Sequence, residues 1–276
     1  MTGEGGDRAR RRSNASPSPL WRRVGGGGNP SIDWPAIPPS PTLPHEGGGT
    51  TISLGRHALL ADGSGAVFWP AQKTLLVADL HLEKGTAHAE HGALLPPYDT
   101  RETLARLGDV IGRYQPARVV ALGDSFHAGA AARLGLEELL ALRKLQDGRE
   151  WIWLAGNHDP DIPKRAGGTV AHEFDLAGIT LRHEPAAGRV AHEIAGHLHP
   201  AARLSIDGYS VRRRCFVGNG RRLVMPAFGA FTGGLNVLDD AFTPLFGADP
   251  ISAGLSVWML GRERLYAIAI RHLRAD

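Results

Sequence analysis

Between Asp79 and His199 the chain sets out five short clusters of carboxylate, amide and imidazole side chains, most of them directly after an apolar run. In order they are Asp79-Leu80-His81, Gly123-Asp124-Ser125-Phe126-His127, Gly156-Asn157-His158-Asp159, His183 by itself, and Gly196-His197-Leu198-His199. The apolar stretches 75–78, 119–122 and 151–154 lead into the first three. A short apolar run that stops at polar residues reads as a buried strand delivering side chains to the C-terminal edge of a sheet. One such segment carries little meaning. Several of them describe a site built where strands end.

The text between the clusters names the fold class. Residues 98–114 carry Leu104, Leu107, Val110 and Ile111 at helical spacing, and 134–145 predict a second helix. Strands are expected at 75–78, 119–122 and 151–154, so the first half is built of βαβ units. After residue 170 the expected strands 179–182, 190–194 and 210–217 have no long helix between them. Segments 257–260 and 265–270, joined by 261–264, predict a closing hairpin. This order predicts an α/β sandwich of two facing sheets with helices outside, spanning residues 51–276. Residues 1–50 differ: glycine runs, many prolines, Arg8 and Arg10 to Arg12, and no apolar periodicity. They read as a disordered tail, or as a start codon placed too far upstream. No apolar segment follows the arginines, which excludes a twin-arginine export signal.

The clusters offer ligands enough for two divalent metal ions. Asp79 and His81 are two residues apart and, on an extended segment, point the same way. Asp124 has two carboxylate oxygens with which to bridge ions, Asn157 offers a neutral oxygen, and His183, His197 and His199 offer imidazoles. His172 and His192 compete with His183, which is preferred because the apolar 179–181 leads into it. Mixed nitrogen and oxygen donors suit Mn²⁺ first, then Fe or Zn²⁺. The only cysteine, Cys215, leaves no thiolate set for a closed structural zinc and no intrachain disulfide, which fits a reducing cytoplasm. No apolar stretch is long enough for a membrane span.

The series D-x-H, G-D, G-N-H-D, H, G-H-x-H resembles the calcineurin-like metallophosphoesterase superfamily over roughly residues 74–200. The flanks Asp79-Leu80-His81-Leu82-Glu83-Lys84-Gly85, His197-Leu198-His199-Pro200 and 222–229 (RLVMPAFG) are similar to the ligase-associated DNA-damage-response phosphoesterases, the PdeM group. The resemblance implies a four-layer α/β/β/α sandwich. It implies a first metal on Asp79, His81, Asp124 and His199, and a second on Asp124, Asn157, His183 and His197. It implies His158 as the group that protonates the leaving oxygen. Asp159 then either orients His158 or is a turn residue before Pro160. The stretch Gly123 to Gly129 lacks the arginine of the family's protein phosphatases, whereas G-D-x-F-H is similar to its double-strand-break repair nucleases and makes His127 a residue for diester cleavage.

The expectation is a binuclear phosphodiesterase acting on DNA as an endonuclease in damage repair, associated with a ligase, a helicase and an exonuclease. A phosphoesterase of small nucleotides or monoesters, and a non-catalytic binding module, are the alternatives. The net charge of +3 permits an anionic substrate without requiring one. Three features stay open. Lys84 beside Glu83 meets a phosphate or belongs to a solvated pair. The arginines 212–214 and 221–222 track a nucleic-acid backbone or are ordinary surface charge. The glycine-rich 226–236 is a pocket wall or a core turn.

Overall fold

The computed structural model describes residues 49–83, 99–126, 134–206, 208–230, 232–249, 251, 254–262 and 264–276. Its first sheet takes β1 (Thr50–Leu54), β2 (His57–Ala61), β3 (Val67–Trp69), β4 (Thr74–Val77), β5 (Arg118–Leu122), β6 (Glu150–Leu154) and β7 (Thr169–Ala171), in that spatial order. Strands β1 to β4 form an antiparallel meander, and β4 to β7 run parallel. Helices α1 (Asp99–Tyr114) and α2 (Leu136–Gln146) make the crossovers. Acidic Asp99 and Glu102 lie in the first turn of α1 and Arg113 in its last, each favourable to the helix dipole.

The central strands show why two faces are covered. Alternate residues Leu76, Val120, Leu122, Ile152 and Leu154 pack towards the second sheet. Their neighbours Leu75, Val77, Val119, Ala121, Trp151 and Trp153 pack against Leu104, Leu107, Val110 and Ile111 of α1 and Leu142 of α2. A strand buried on both faces reads as a continuous apolar run, and these do. Each such side chain contributes about 1.5–3 kcal/mol by leaving water. Trp153 also donates its indole N–H to the Gly167 carbonyl at 2.7 Å.

The second sheet runs β15 (Leu265–Ile268), β14 (Ser256–Leu260), β12 (Tyr209–Gly218), β13 (Arg222–Val224), β10 (Glu193–Ala195), β9 (Ile179–Arg182) and β8 (Glu173–Leu176). Strand β11 (Ala201–Ile206) attaches to β12, and β16 (Leu273–Arg274) to β11. Ile179, Leu181, Ile194, Phe216 and Leu223 face the first sheet. On the opposite side of β13 the Arg222 guanidinium meets the Leu245 carbonyl of the one-turn helix α3 (Thr243–Phe246), the thin fourth layer among the described residues. Two mixed sheets face to face with helices outside are the architecture that the sequence and its family resemblance predict. The meander 50–69 was not foreseen as strands. Its runs are three to five residues long, too short for periodicity to speak, although Gly55-Arg56 between two apolar-bearing runs is a hairpin signal.

Strand register positions the site. In the parallel β4–β5–β6 ladder Val77, Ala121 and Trp153 lie level. Asp79, Asp124 and Asn157 follow within two to four residues of that line, so they emerge at one edge. In the second sheet Arg182, Ala195 and Val224 lie level on parallel β9, β10 and β13, and His183 and His197 come next.

Candidate metal centre

Two groups of ligating atoms meet at this edge: Asp79, His81 and His199, and Asp124, His183 and His197, with the atoms of each group within 4.8 Å of one another. In the first, His81 Nε2 and His199 Nε2 are 3.2 Å apart, and His199 Nε2 is 3.3 Å from Asp79 Oδ1. In the second, His183 Nε2 is 3.4 Å from Asp124 Oδ2 and 2.8 Å from Asn157 Oδ1. His197 Nδ1 lies 3.0 Å from that amide oxygen and 3.1 Å from His183 Nε2. Ligands about 2.1 Å from a shared ion lie about 3.0–3.4 Å from one another in octahedral to tetrahedral geometry. The donor set therefore fits a cation in each group. Protons alone serve it poorly, since Asn157 Oδ1 only accepts and three atoms converge on one point.

The backbone route differs from the extended segment the spacing suggested. Asp79 (φ 53°), His81 (44°), Asp124 (45°), His197 (72°) and His199 (46°) all take the left-handed conformation. Strand geometry ends at Val77 and the chain curls, so Asp79 and His81 converge through two left-handed residues rather than by strand alternation. Each costs of order 1–3 kcal/mol where the surroundings do not hold it. Here they do hold it: the N–H groups of His81 and Leu82 donate to the carbonyls of Asp124 and Ser125, both at 2.9 Å. The motif glycines are explained by close approach. A Cβ at Gly156 would overlap Asp124 and lie 2.7 Å from Asp159 Oδ1, and one at Gly196 would lie 2.6 Å from Asp79 Oδ2.

Buried Asp79 accepts from the His197 N–H at 3.1–3.2 Å, and Asp124 Oδ1 accepts from the His158 N–H at 2.9 Å. His183 Nδ1 faces the Leu122 carbonyl at 3.0 Å, which directs Nε2 at the site. Of its rivals, His172 is exposed, and the half-buried His192 packs against Gly55. Burial opposes the charge of His183, but Asp124 and Asp79 outweigh it and raise its pKa to about 9. Burial likewise pushes Asp124 upwards, yet His183, the His158 amide and His81 bring it down to about 2. Burial and the His183 charge lower His197.

Exposed His158 stands beside His81, ring centroids 5.7 Å apart. Asp159 meets backbone amides. The Asp159 carboxylate accepts the N–H groups of Ser125 (2.7 Å), Phe126 (3.1 Å) and Gly156 (3.0 Å), clamping two ligand loops together. Burial and the Asp124 charge raise it to about 6 against those three bonds. A buried carboxylate is most cheaply satisfied by the amides that converge on it. His127 and Lys84 lie outside the described residues. Glu83 is buried rather than part of a solvated pair, its N–H on Thr100 Oγ1 at 2.7 Å. Arg222 is no surface charge either. It is 2% exposed and donates to Glu193 at 2.7 Å and to the carbonyls of Leu245 and Ala186, a role invisible in a run of arginines.

The calcineurin-like phosphoesterase family model matches residues 72–209, which contain every residue of both groups. The chain belongs to that family. It is thereby a hydrolase of phosphoesters with sites for a pair of divalent metals. Among solved structures it is similar to the Pseudomonas putida nuclease MPE, at 29% identity and TM-score 0.61, over 79% of this chain and 98% of that one. The Escherichia coli phosphoesterase Yfce (13% identity, 71% and 98% covered, TM-score 0.35) and Entamoeba histolytica Vps29 with zinc (18%, 71% and 96%, 0.32) are more distant. No curated protein matches by sequence. No helix among the described residues is long and apolar enough to cross a membrane.

Proposed function

We propose that this chain is a binuclear phosphodiesterase that cuts DNA, with Mn²⁺ as its preferred metal and repair of DNA damage as its setting. The observation that carries the reading is the pair of abutting ligand groups in a chain 29% identical, over 79% of its length, to a bacterial nuclease. Asp79, His81 and His199 would hold one ion and Asn157, His183 and His197 the other, with Asp124 between them. Two divalent ions held there would supply a water of lowered pKa and positive charge for the phosphoryl oxygens. The chain supplies the rest. Asp159 keeps the Asp124 and Asn157 loops in one arrangement. His158, exposed at the rim and fixed through its N–H on Asp124, donates a proton to the departing sugar oxygen. His127 is assigned to diester cleavage from its motif alone. Association with a DNA ligase, a helicase and an exonuclease rests on the sequence resemblance.

The test is cleavage of an oligonucleotide and of a chromogenic nitrophenyl diester after chelation and metal replacement. Both activities are expected to vanish with chelator and to return with Mn²⁺ more than with Mg²⁺, since Mg²⁺ prefers all-oxygen sites and keeps its waters. Cleavage of the small diester without any cleavage of DNA would favour the small-nucleotide alternative.

A further inference from the structure

Beside the metal centre lies a second polar cleft of about 500 Å³, lined by Arg106, Arg212, Arg213 and Arg214 together with Thr232, Gly233 and Gly234. Nothing in the family match assigns it. The chain answers its charge only in part. Arg106, on α1, lies over the Phe228 ring at 4.6 Å, and its Nε and Nη2 are buried with no hydrogen-bond partner. Arg214 spends one N–H on the Ala227 carbonyl at 2.9 Å. Burial and the neighbouring Arg106 charge together pull Arg214 down to about 10, so the two guanidiniums repel each other in a poorly solvated place. Arg212 is held by Asp276 and the Gly234 carbonyl, and Arg213 is exposed. Exposed Glu102, one turn before Arg106 on α1, also acts on Arg106 and Arg214. Unpaired buried donors are uncommon in folded proteins, and a bound water or ion is one way in which they are completed. Two converging guanidiniums ask for a doubly hydrogen-bonding oxyanion, which is the chemistry of a phosphate.

The cleft is tied to the catalytic edge through one piece of chain. Phe228 and Gly229 donate to the carbonyls of Ala78 and Asp79, and Leu235 to that of Leu198. Phe228, Gly229 and Leu235 thus touch both arms of the first ligand group, while residues 232–234 line the arginine cleft. Gly234, which lines the cleft, also abuts the ligand His199: a Cβ there would lie 2.2 Å from the His199 carbonyl oxygen.

We propose that the arginine cleft is a second phosphate subsite, which takes a backbone phosphate of the same nucleic-acid strand next to the one being cut. The inference rests on the diesterase reading above and extends it to a substrate longer than one phosphate. Arg106 and Arg214 grip the oxygens, and exposed Arg213, between Arg212 and Arg214 on β12, adds positive charge nearby.

The test uses the full chain, Arg106→Gln, and Arg213→Ala as an exposed change that leaves the fold alone. Each is assayed on a single-stranded oligonucleotide and on bis(nitrophenyl) phosphate, which has only one phosphate. For Arg106→Gln the ratio of kcat/KM on oligonucleotide to that on the small diester is expected to fall about tenfold or more, through KM, the scale of one charge-assisted hydrogen bond. In chelator, where nothing is cut, oligonucleotide binding by either variant is expected to lose about 0.7 from its slope against log salt. If the wild type cuts the oligonucleotide while both variants keep ratio and slope, the subsite is wrong and the diesterase reading stands. If the wild type cuts only the small diester, the DNA reading falls, and the subsite is judged on salt slope alone, equal slopes overturning it. Inorganic phosphate that stabilises the wild type but not Arg106→Gln, with the oligonucleotide slopes equal, would mean a free phosphate and overturn the strand assignment.

Discussion

The second sheet carries buried charge in two places, and they are built on opposite principles. On its outer face Arg222 and Glu193 are both almost inaccessible, 2.7 Å apart, and the remaining guanidinium N–H groups reach backbone carbonyls. That cluster is closed: every charge is answered within the chain. At the sheet's edge, His183 and His197 face Asn157 and Asp124 with nitrogen and oxygen lone pairs pointed at a common centre. That cluster is open, and only something from outside completes it. The difference separates a charge that holds the fold from charges held by the fold for chemistry, although in sequence both are polar residues just beyond or within short apolar strands.

The contrast breaks most visibly by substitution on each side. Arg222→Ala takes from buried Glu193 its 2.7 Å partner and leaves only Arg182, 3.5 Å away, as a counter-charge; breaking a buried pair costs about 3–5 kcal/mol, and Arg182 offsets part of that. The protein is expected to melt far lower, while activity per folded molecule at low temperature is retained. Asp124→Asn is expected to do the reverse. The chelated protein is expected to melt somewhat lower, because the buried His183 proton loses the Asp124 charge beside it, but the larger change is that the rise metal gives is lost and diesterase activity falls by roughly 10²-fold or more, the scale of metal charge stabilisation. Thermal melts with and without Mn²⁺, paired with rates, check both. An Arg222→Ala protein that remains folded yet no longer gains stability from metal would erase the distinction.

A smaller effect sharpens the open cluster from within. His158 borders the site without belonging to either ligand group, so His158→Ala is expected to bind metal normally. Its loss should slow DNA cleavage by about 10²-fold, a general-acid contribution, and slow a nitrophenyl ester much less, because nitrophenolate departs without a proton. Equal slowing on both substrates would remove His158 from proton transfer.

Most of the site was legible because chemistry and strand ends coincide. The apolar runs before Asp79, Asp124 and Asn157 announced strands, and the ladder registers bring those residues out at one edge. His183 could be preferred over its rivals for the same reason, since β9 leads into it. What stayed hidden depends on contacts between distant segments. Nothing near Asp159 says that amides 34 and 33 residues away would claim its carboxylate. Nothing in the arginine run says that Arg222 turns inward to Glu193 while Arg221 stays out, for strand alternation fixes a face but not which face is covered. The left-handed turns at the ligands also escaped, since local sequence favours extension after a strand and only tertiary hydrogen bonds hold the curl.

The smallest expected effect is a gradual one with pH, and it tests whether the open cluster is completed by a proton when metal is absent. His183 has its pKa raised to about 9, since Asp124 and Asp79 overcome its burial. In the metal-free protein the ring therefore holds its proton across neutral pH, and the stability this brings is fully present below the unfolded pKa of about 6.5. It is lost as pH rises through about 9. A metal on Nε2 must displace that proton, so its apparent affinity is expected to fall by about one decade per pH unit below 9 from this group alone. Asp124, brought down to about 2, stays a carboxylate throughout and adds no slope in that range. Melting temperatures at pH 6.5, 7.5 and 8.5, with chelator and with a fixed concentration of Mn²⁺, should diverge as pH rises: the metal-free curve drops while the metal-bound curve does not follow it. His183→Asn removes the titrating ring and should flatten the divergence. A gap that is constant with pH in the wild type would mean that no proton stands where the second ion is placed.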